Sequence, residues 1–173
     1  DATARLFTLL YGELQRLAQQ QLQRMGGHLT LGPGTLLHET YLKLAQRGDG
    51  LAFPDRARFM GYAARAMRGL VIDYARRRQA RKRGSGIELA PLPAEGVAAE
   101  ETDAAAVEPL ARLDEALTAL AQHDPELAAL VDLKYFGGLS FAEIAALRGV
   151  TERTVYRHWE KARIYLFHVL EDD

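Results

Sequence analysis

The stretch from 139 to 166 constrains the fold of this chain more than any other, because it contains two helix start signals separated by a glycine. Ser140 with Glu143 three residues later is a capping box, which predicts that a helix begins there. Gly149 stands where a helix end requires a positive φ, and Thr151 is a favourable cap for a second helix. The order of helix, tight turn and helix is typical of a helix-turn-helix.

The second helix of this motif has two faces. One face is apolar and would pack on the first helix. It consists of Val155, Trp159, Ala162 and Leu166. The other face is polar and basic, so its side chains can reach base edges or phosphates when the helix lies in a major groove. The candidate DNA-binding residues are Thr151, Arg153, Thr154, Tyr156, Arg157 and Lys161. A charge-mixed surface helix in an ordinary bundle is the alternative, but the two capped helices and the turn glycine favour DNA binding.

The charge distribution divides the chain into three parts. Residues 1–86 contain 15 basic and 6 acidic residues, residues 87–108 contain 6 acidic and no basic ones, and residues 109–173 contain 7 basic and 11 acidic ones. The middle part has two prolines and no apolar period, which predicts a flexible linker. We therefore expect an all-α protein in which two small helical domains, 1–86 and 109–173, are joined by the acidic linker 87–108.

The front part is predicted to contain three helices, at 3–25, 35–46 and 55–83. From Arg65 onward the last of these carries eight basic residues against the single Asp73, a pattern typical of a surface that binds phosphate backbone. Aromatic residues lie between the arginines, and the unpaired bases of a single strand need such rings to stack on. A solvated helix end is the alternative interpretation. In the rear part, Asp124-Pro125 is a helix start signal that separates helices at 109–123 and 126–136.

The composition argues against several classes of protein. The five histidines are scattered without ligand spacing, cysteine is absent, and no grouping of acid, base and nucleophile is evident. We therefore expect no enzyme activity, no metal site and no cofactor. Because no apolar run is long enough to span a bilayer, we expect no membrane insertion, and the absence of cysteine fits a reducing cytoplasm.

Three stretches, taken in order, match a known family. They are the leucine-rich TLLHETYL at 35–42, the arginine-rich helix from 59 to 78 with Asp73 near its centre, and the run YFGGLSFAEIAALRGVTERTV at 135–155. In these stretches the chain resembles the extracytoplasmic-function (ECF) group of bacterial sigma factors. The resemblance covers nearly the whole chain, and its last stretch is the most specific.

The resemblance implies a function and partners. The 35–46 helix would bind core RNA polymerase through Leu36, Leu37, Glu39, Leu42 and Lys43. The 48–58 loop and the arginine-rich helix would capture the melted non-template strand of the −10 element. The residues expected to do so are Arg56, Arg58, Arg65, Arg68, Arg76 and Arg77. The rear domain would read the −35 element as duplex promoter DNA, and an anti-sigma factor or another regulator would be a further partner. The alternative is a stand-alone two-domain helix-turn-helix regulator that binds DNA without polymerase.

Overall fold

The computed structural model describes residues 2–25, 30–46, 55–84 and 94–172, and these residues form eight α-helices and one π-helical turn. The elements are α1 (Ala2–Leu9), α2 (Tyr11–Met25), α3 (Pro33–Gln46), α4 (Arg56–Gly84), α5 (Ala94–His123), α6 (Pro125–Val131), the π turn (Asp132–Phe136), α7 (Phe141–Arg148) and α8 (Glu152–Glu171). Within these ranges there is no strand. The predicted all-α fold is confirmed.

Two of the predicted helices differ from the observed elements. The helix predicted at 3–25 is divided at Leu10, although backbone hydrogen bonds from Leu10 to Leu6 and from Leu14 to Leu10 continue across the division. The helix predicted at 126–136 changes from α to π geometry at Asp132. π-helical turns are short and often lie at functional sites, and this one holds the buried side chains of Asp132 and Phe136.

The acidic segment predicted as a flexible linker is in part helical. Residues from Ala94 onward belong to α5, whereas residues 87–93 lie outside the described residues. The linker was inferred from the lack of an apolar period, but alanine and glutamate are strong helix formers without one. The helix therefore crosses the boundary expected near Pro109, and the division of the chain into two domains stays a prediction.

Helices α1–α4, here called the front half, pack around the leucine face of α2. Leu14, Leu17, Leu36 and Phe59 are fully buried there. A polar contact also crosses this core, since the side-chain amide of Gln21 donates to the backbone carbonyl of Ala64 at 2.9 Å. The front half thereby holds α3 and α4, the two helices for which polymerase and single-strand binding are predicted.

The front half shares its core with α5–α8 and the π turn, here called the rear half. Leu17 and Phe59 belong to the same buried cluster as Leu133, and α4 packs against α5, α6 and the π turn. The approach is close at Gly61, where an added Cβ would lie 2.9 Å from the Cβ of Ala129. Glycine is required at this position because any larger side chain would push α4 and α6 apart.

Candidate nucleic-acid and polymerase interfaces

The helix-turn-helix is built by the local signals expected from the sequence. Ser140 Oγ accepts from the backbone N–H of Glu143 at 3.0 Å, and the Glu143 carboxylate accepts from the Ser140 N–H at 3.1 Å, so the capping box is complete. Gly149 ends α7 in the left-handed region with φ 68°, where a side chain would be strained. Thr151 then caps α8 by accepting from the N–H of Thr154 at 3.2 Å.

Helix α8 has a buried face and a face directed to solvent. Val155 and Ala162 are fully buried, and Trp159 is half-buried against Phe141 with ring centroids 6.2 Å apart. The predicted DNA-binding residues lie away from this packing except Tyr156, whose ring also contacts Phe141 with centroids 5.7 Å apart. Five of them are exposed, namely Thr151, Arg153, Tyr156, Arg157 and Lys161, while Thr154 is half-buried beside its cap. An exposed, capped, basic helix is the geometry that a major groove can accept.

The arginines predicted to bind the −10 strand are not all presented to solvent. Four of them are exposed, namely Arg56, Arg58, Arg76 and Arg77. Arg65 is half-buried, and Arg68 is almost fully buried with 2% of its surface exposed. The arginine-rich helix α4 therefore combines an exposed basic surface with a segment that packs inside the protein.

Arg68 is held by two carboxylates of the rear half. Its Nε donates to Asp114 on α5 at 2.9 Å, and its Nη1 donates to the fully buried Asp132 on the π turn. The ring of Phe136 lies 6.0 Å from the guanidinium. A buried cation is tolerated only when it is paired and hydrogen-bonded. The two carboxylates are therefore the reason that an arginine can lie at the centre of the fold.

A second ion pair joins the two halves at the helix-turn-helix. Arg16 on α2 binds both carboxylate oxygens of Glu143, with an Nη2 to Oε1 distance of 3.0 Å. This side-chain hydrogen bond, together with the Ser140 backbone N–H, lowers the pKa of Glu143 to about 2. Glu143 therefore carries its charge at all physiological pH values and serves both the cap and the ion pair.

The predicted polymerase-binding helix α3 presents fewer residues than expected. Leu36 and Leu37 are buried at 0% and 3% exposure, so they stabilise the front half and are not available on its surface. Glu39 and Leu42 are exposed, and Lys43 is half-buried. Of the three leucines predicted to bind polymerase, only Leu42 is exposed, at 39%.

A cleft of about 640 Å³ lies between α4 and the rear half. Arg58, Arg65 and Arg68 line it on one side, and Arg148 and His158 line it on the other. Burial lowers the pKa of Arg148.

In the described ranges, no group of three or more potential ligand side chains could hold a metal ion, and every helix is too short or too polar to cross a membrane.

Comparison with known proteins assigns the chain to a family. The family described as ECF sigma factor matches residues 1–172. The chain belongs to the ECF sigma factor family. Comparisons with curated proteins and with solved structures gave no match. This sigma factor therefore acts in transcription initiation, with core RNA polymerase and promoter DNA as its partners, and the resemblance seen in the sequence is confirmed.

Sequence reasoning missed the carboxylates that join the two halves of this sigma factor. Asp114 is half-buried against Arg68. Asp132 was not singled out at all, although it lies between Val131 and Leu133 in an apolar run. A single acid in such a run requires a buried partner, and this signal could have identified Asp132 before the structure was known.

The buried Asp132 gives the sigma factor a predicted pH dependence. Desolvation raises the pKa of Asp132 to about 6; Arg68 and Arg65 oppose this effect, and Asp114 adds to it. Because an unfolded aspartate titrates near pH 4, folding takes up a proton between about pH 4 and 6. We therefore expect the contribution of Asp132 to the free energy of unfolding to be full below that window and to decrease as pH rises through 6.

The test compares the wild type with Asp132→Asn, which keeps an acceptor for Arg68 but cannot titrate. The free energy of unfolding is measured by urea denaturation at pH 7 and at pH 5. Between pH 7 and pH 5 it should increase by about 1 kcal/mol more for the wild type than for the variant. Glu143 remains charged at both pH values because its pKa is about 2. An identical pH response in the two proteins would contradict a raised pKa at Asp132.

Proposed function

We propose that this sigma factor binds core polymerase through α3, captures the melted −10 strand with α4 and the preceding loop, and reads the −35 element with α8. The observation that carries this proposal is the capped helix-turn-helix with its exposed basic face on α8, in a chain that matches the family from end to end. The loop residues 48–54 lie outside the described residues, so their part in strand capture rests on the resemblance alone.

Duplex reading by α8 is supported by the position of its side chains. Thr151 and Arg153 lie at the N-terminal end of the helix and are exposed, which is the end that contacts bases in helix-turn-helix proteins. Arg157 follows one turn later on the same exposed surface. A bidentate arginine can distinguish guanine from other bases in the major groove.

Single-strand capture by α4 is supported by the four exposed arginines along the helix, Arg56, Arg58, Arg76 and Arg77. Exposed arginines of this kind neutralise phosphates without reading sequence. Tyr62 and Tyr74 are half-buried among these arginines, and partly accessible rings can stack on unpaired bases. The melting of the −10 element is part of this proposal.

An anti-sigma factor or another regulator is also proposed as a partner. Near its C-terminal end α8 exposes Ile164 and Phe167 by 59% and 60%. These residues lie three positions apart and thus one turn apart on the helix surface. Large apolar side chains exposed together are typical of protein interaction sites.

The proposed docking of α3 on polymerase predicts a charge effect. Glu39 is exposed at the centre of α3, so Glu39→Lys should weaken binding to core polymerase by roughly fivefold, about 1 kcal/mol, and leave the melting temperature unchanged. Equilibrium titration of labelled sigma factor with core polymerase measures the effect. The matched control is Glu13→Lys, the same charge change at an exposed position of α2. Equal affinities for all three proteins would refute docking through this surface of α3.

A further inference from the structure

Tyr156 places an aromatic ring on the surface of α8 that is proposed to enter the major groove. It is 53% exposed, whereas the other large apolar residues in this half of the helix are buried, as Val155 is, or half-buried, as Trp159 is. One edge of the contact is fixed, because the Tyr156 ring packs edge-on against Phe141 of α7 with centroids 5.7 Å apart. The rest of the ring is available to a ligand.

Phe141 holds the Tyr156 ring in one position. Phe141 also packs edge-on against Trp159 at 6.2 Å, and the ammonium group of Lys134 lies 4.3 Å from the centre of its ring. Its backbone is held as well, since Phe141 is the first residue of α7 after the Ser140 cap. A side chain that is ordered before DNA binds loses little conformational freedom on binding, so its contacts contribute more fully to affinity.

The residues around Tyr156 on the helix surface disfavour a phosphate contact. Residues four apart lie on one stripe of a helix, and the stripe of Tyr156 contains Glu152 before it and Glu160 after it. Glu160 is paired with Arg163 at 3.0 Å, whereas Glu152 is exposed at the start of the helix. A phosphate brought to the Tyr156 hydroxyl would therefore approach like charges, but the edges of base pairs carry no net charge.

The basic residues of α8 occupy the neighbouring stripe, and they are Arg153, Arg157 and Lys161. All three are exposed, so they can contact phosphates or guanines without help from Tyr156. An uncharged, mainly apolar ring beside this stripe is suited to a different group in the groove. The C5-methyl group of thymine is the apolar group that base pairs present there, and apolar side chains recognise it by direct contact.

We propose that the ring of Tyr156 recognises the methyl group of a thymine in the −35 element, and that this contact sets the base preference at that position. The inference rests on the proposed reading of the −35 element by α8 and names one base that it reads. Because Arg157 is the next residue, the thymine lies within one or two base pairs of the guanine that Arg157 is proposed to bind, on either strand.

Deoxyuridine in place of thymidine tests the contact directly, because it removes the methyl group and leaves every hydrogen-bonding group of the base pair unchanged. In the promoter that the reconstituted holoenzyme uses best, each thymidine of the −35 element is replaced in turn on either strand. Competition with the unmodified fragment measures the affinity of the holoenzyme. We expect one position at which deoxyuridine lowers affinity about fourfold, the effect of one buried methyl group.

Two variants of Tyr156 separate the ring from its hydroxyl. Tyr156→Phe keeps the ring and should keep the fourfold difference between thymidine and deoxyuridine. Tyr156→Ala should bind the two fragments equally, and about as weakly as the wild type binds the deoxyuridine fragment. The matched control is Phe167→Ala, which removes an exposed ring near the other end of α8 and should keep the difference. Thermal melting of each variant shows that α8 remains folded.

Two results would overturn the inference. One is a −35 element in which no thymidine can be distinguished from deoxyuridine by the wild type. The other is a uniform loss of affinity in Tyr156→Phe together with a retained thymidine preference in Tyr156→Ala, because the hydroxyl would then bind a phosphate. Failure of the proposed function gives a different result, since the wild-type holoenzyme would then show no preference for any −35 sequence, and the inference would fail with it.

Discussion

Replacing Phe136 by alanine is expected to lower the free energy of unfolding by about 3–5 kcal/mol, the largest effect of any substitution considered for this chain. Phe136 is 1% exposed and belongs to the core shared by the two halves. Its ring packs edge-on against Tyr135 at 4.9 Å and lies 6.0 Å from the buried Arg68 guanidinium. The alanine variant would leave a cavity beside a buried ion pair, in a protein whose total stability is typically about 5–15 kcal/mol.

Phe167→Ala is the matched control for this prediction. Phe167 is 60% exposed on α8, so the same change in chemistry should alter stability by no more than about 0.5 kcal/mol. Urea denaturation of the wild type and both variants at pH 7 measures the difference. Similar losses for the two variants would mean that the shared core does not hold the fold together.

The second large effect is expected at Arg157, in the base preference of the −35 element. Arg157 is exposed on α8 near its N-terminal half. A bidentate contact with guanine contributes about 1–3 kcal/mol of discrimination, roughly 5- to 150-fold. Arg157→Ala should therefore relax the preference at one or two positions and leave the other positions as strict as before. Transcription from a library of −35 sequences with core polymerase measures this change.

Lys161→Ala separates base reading from phosphate contact. Lys161 is also exposed, one turn further along α8, where the proposed docking would bring it to the phosphate backbone. A phosphate contact carries no sequence information, so this variant should weaken all promoters by a similar factor. If Lys161→Ala changed base preference and Arg157→Ala did not, the opposite end of α8 would be the one that enters the groove.

The local structure of the rear half could be predicted because its signals act over three or four residues. Ser140 and Glu143 form the expected capping box, Gly149 has the expected positive φ, and Thr151 caps α8. The helix start predicted at Asp124-Pro125 is confirmed too, since the Asp124 side chain caps α6 by accepting from the Leu127 N–H at 3.1 Å. These features depend on backbone groups that any helix must satisfy, so sequence spacing alone was sufficient.

The packing of the two halves could not be predicted, because it depends on contacts between residues far apart in the chain. A basic stripe looks the same whether its partners are phosphates or carboxylates, so Arg68 and Arg58 were both predicted to bind DNA. Only the structure shows that the carboxylates of Asp132 and Asp114 bind the guanidinium of Arg68. For the same reason Leu36 was predicted on a docking surface, although it lies in the core.

Promoter-specific initiation is the central claim, and run-off transcription tests it most directly. The purified chain is mixed with core polymerase and a promoter library, in parallel with a binding assay for the same DNA without polymerase. We predict transcripts from a defined subset of promoters only when chain and core are both present, and no specific binding by the chain alone. Specific binding to these promoters by the free chain, with no transcript when core is added, would contradict the account and favour a stand-alone regulator.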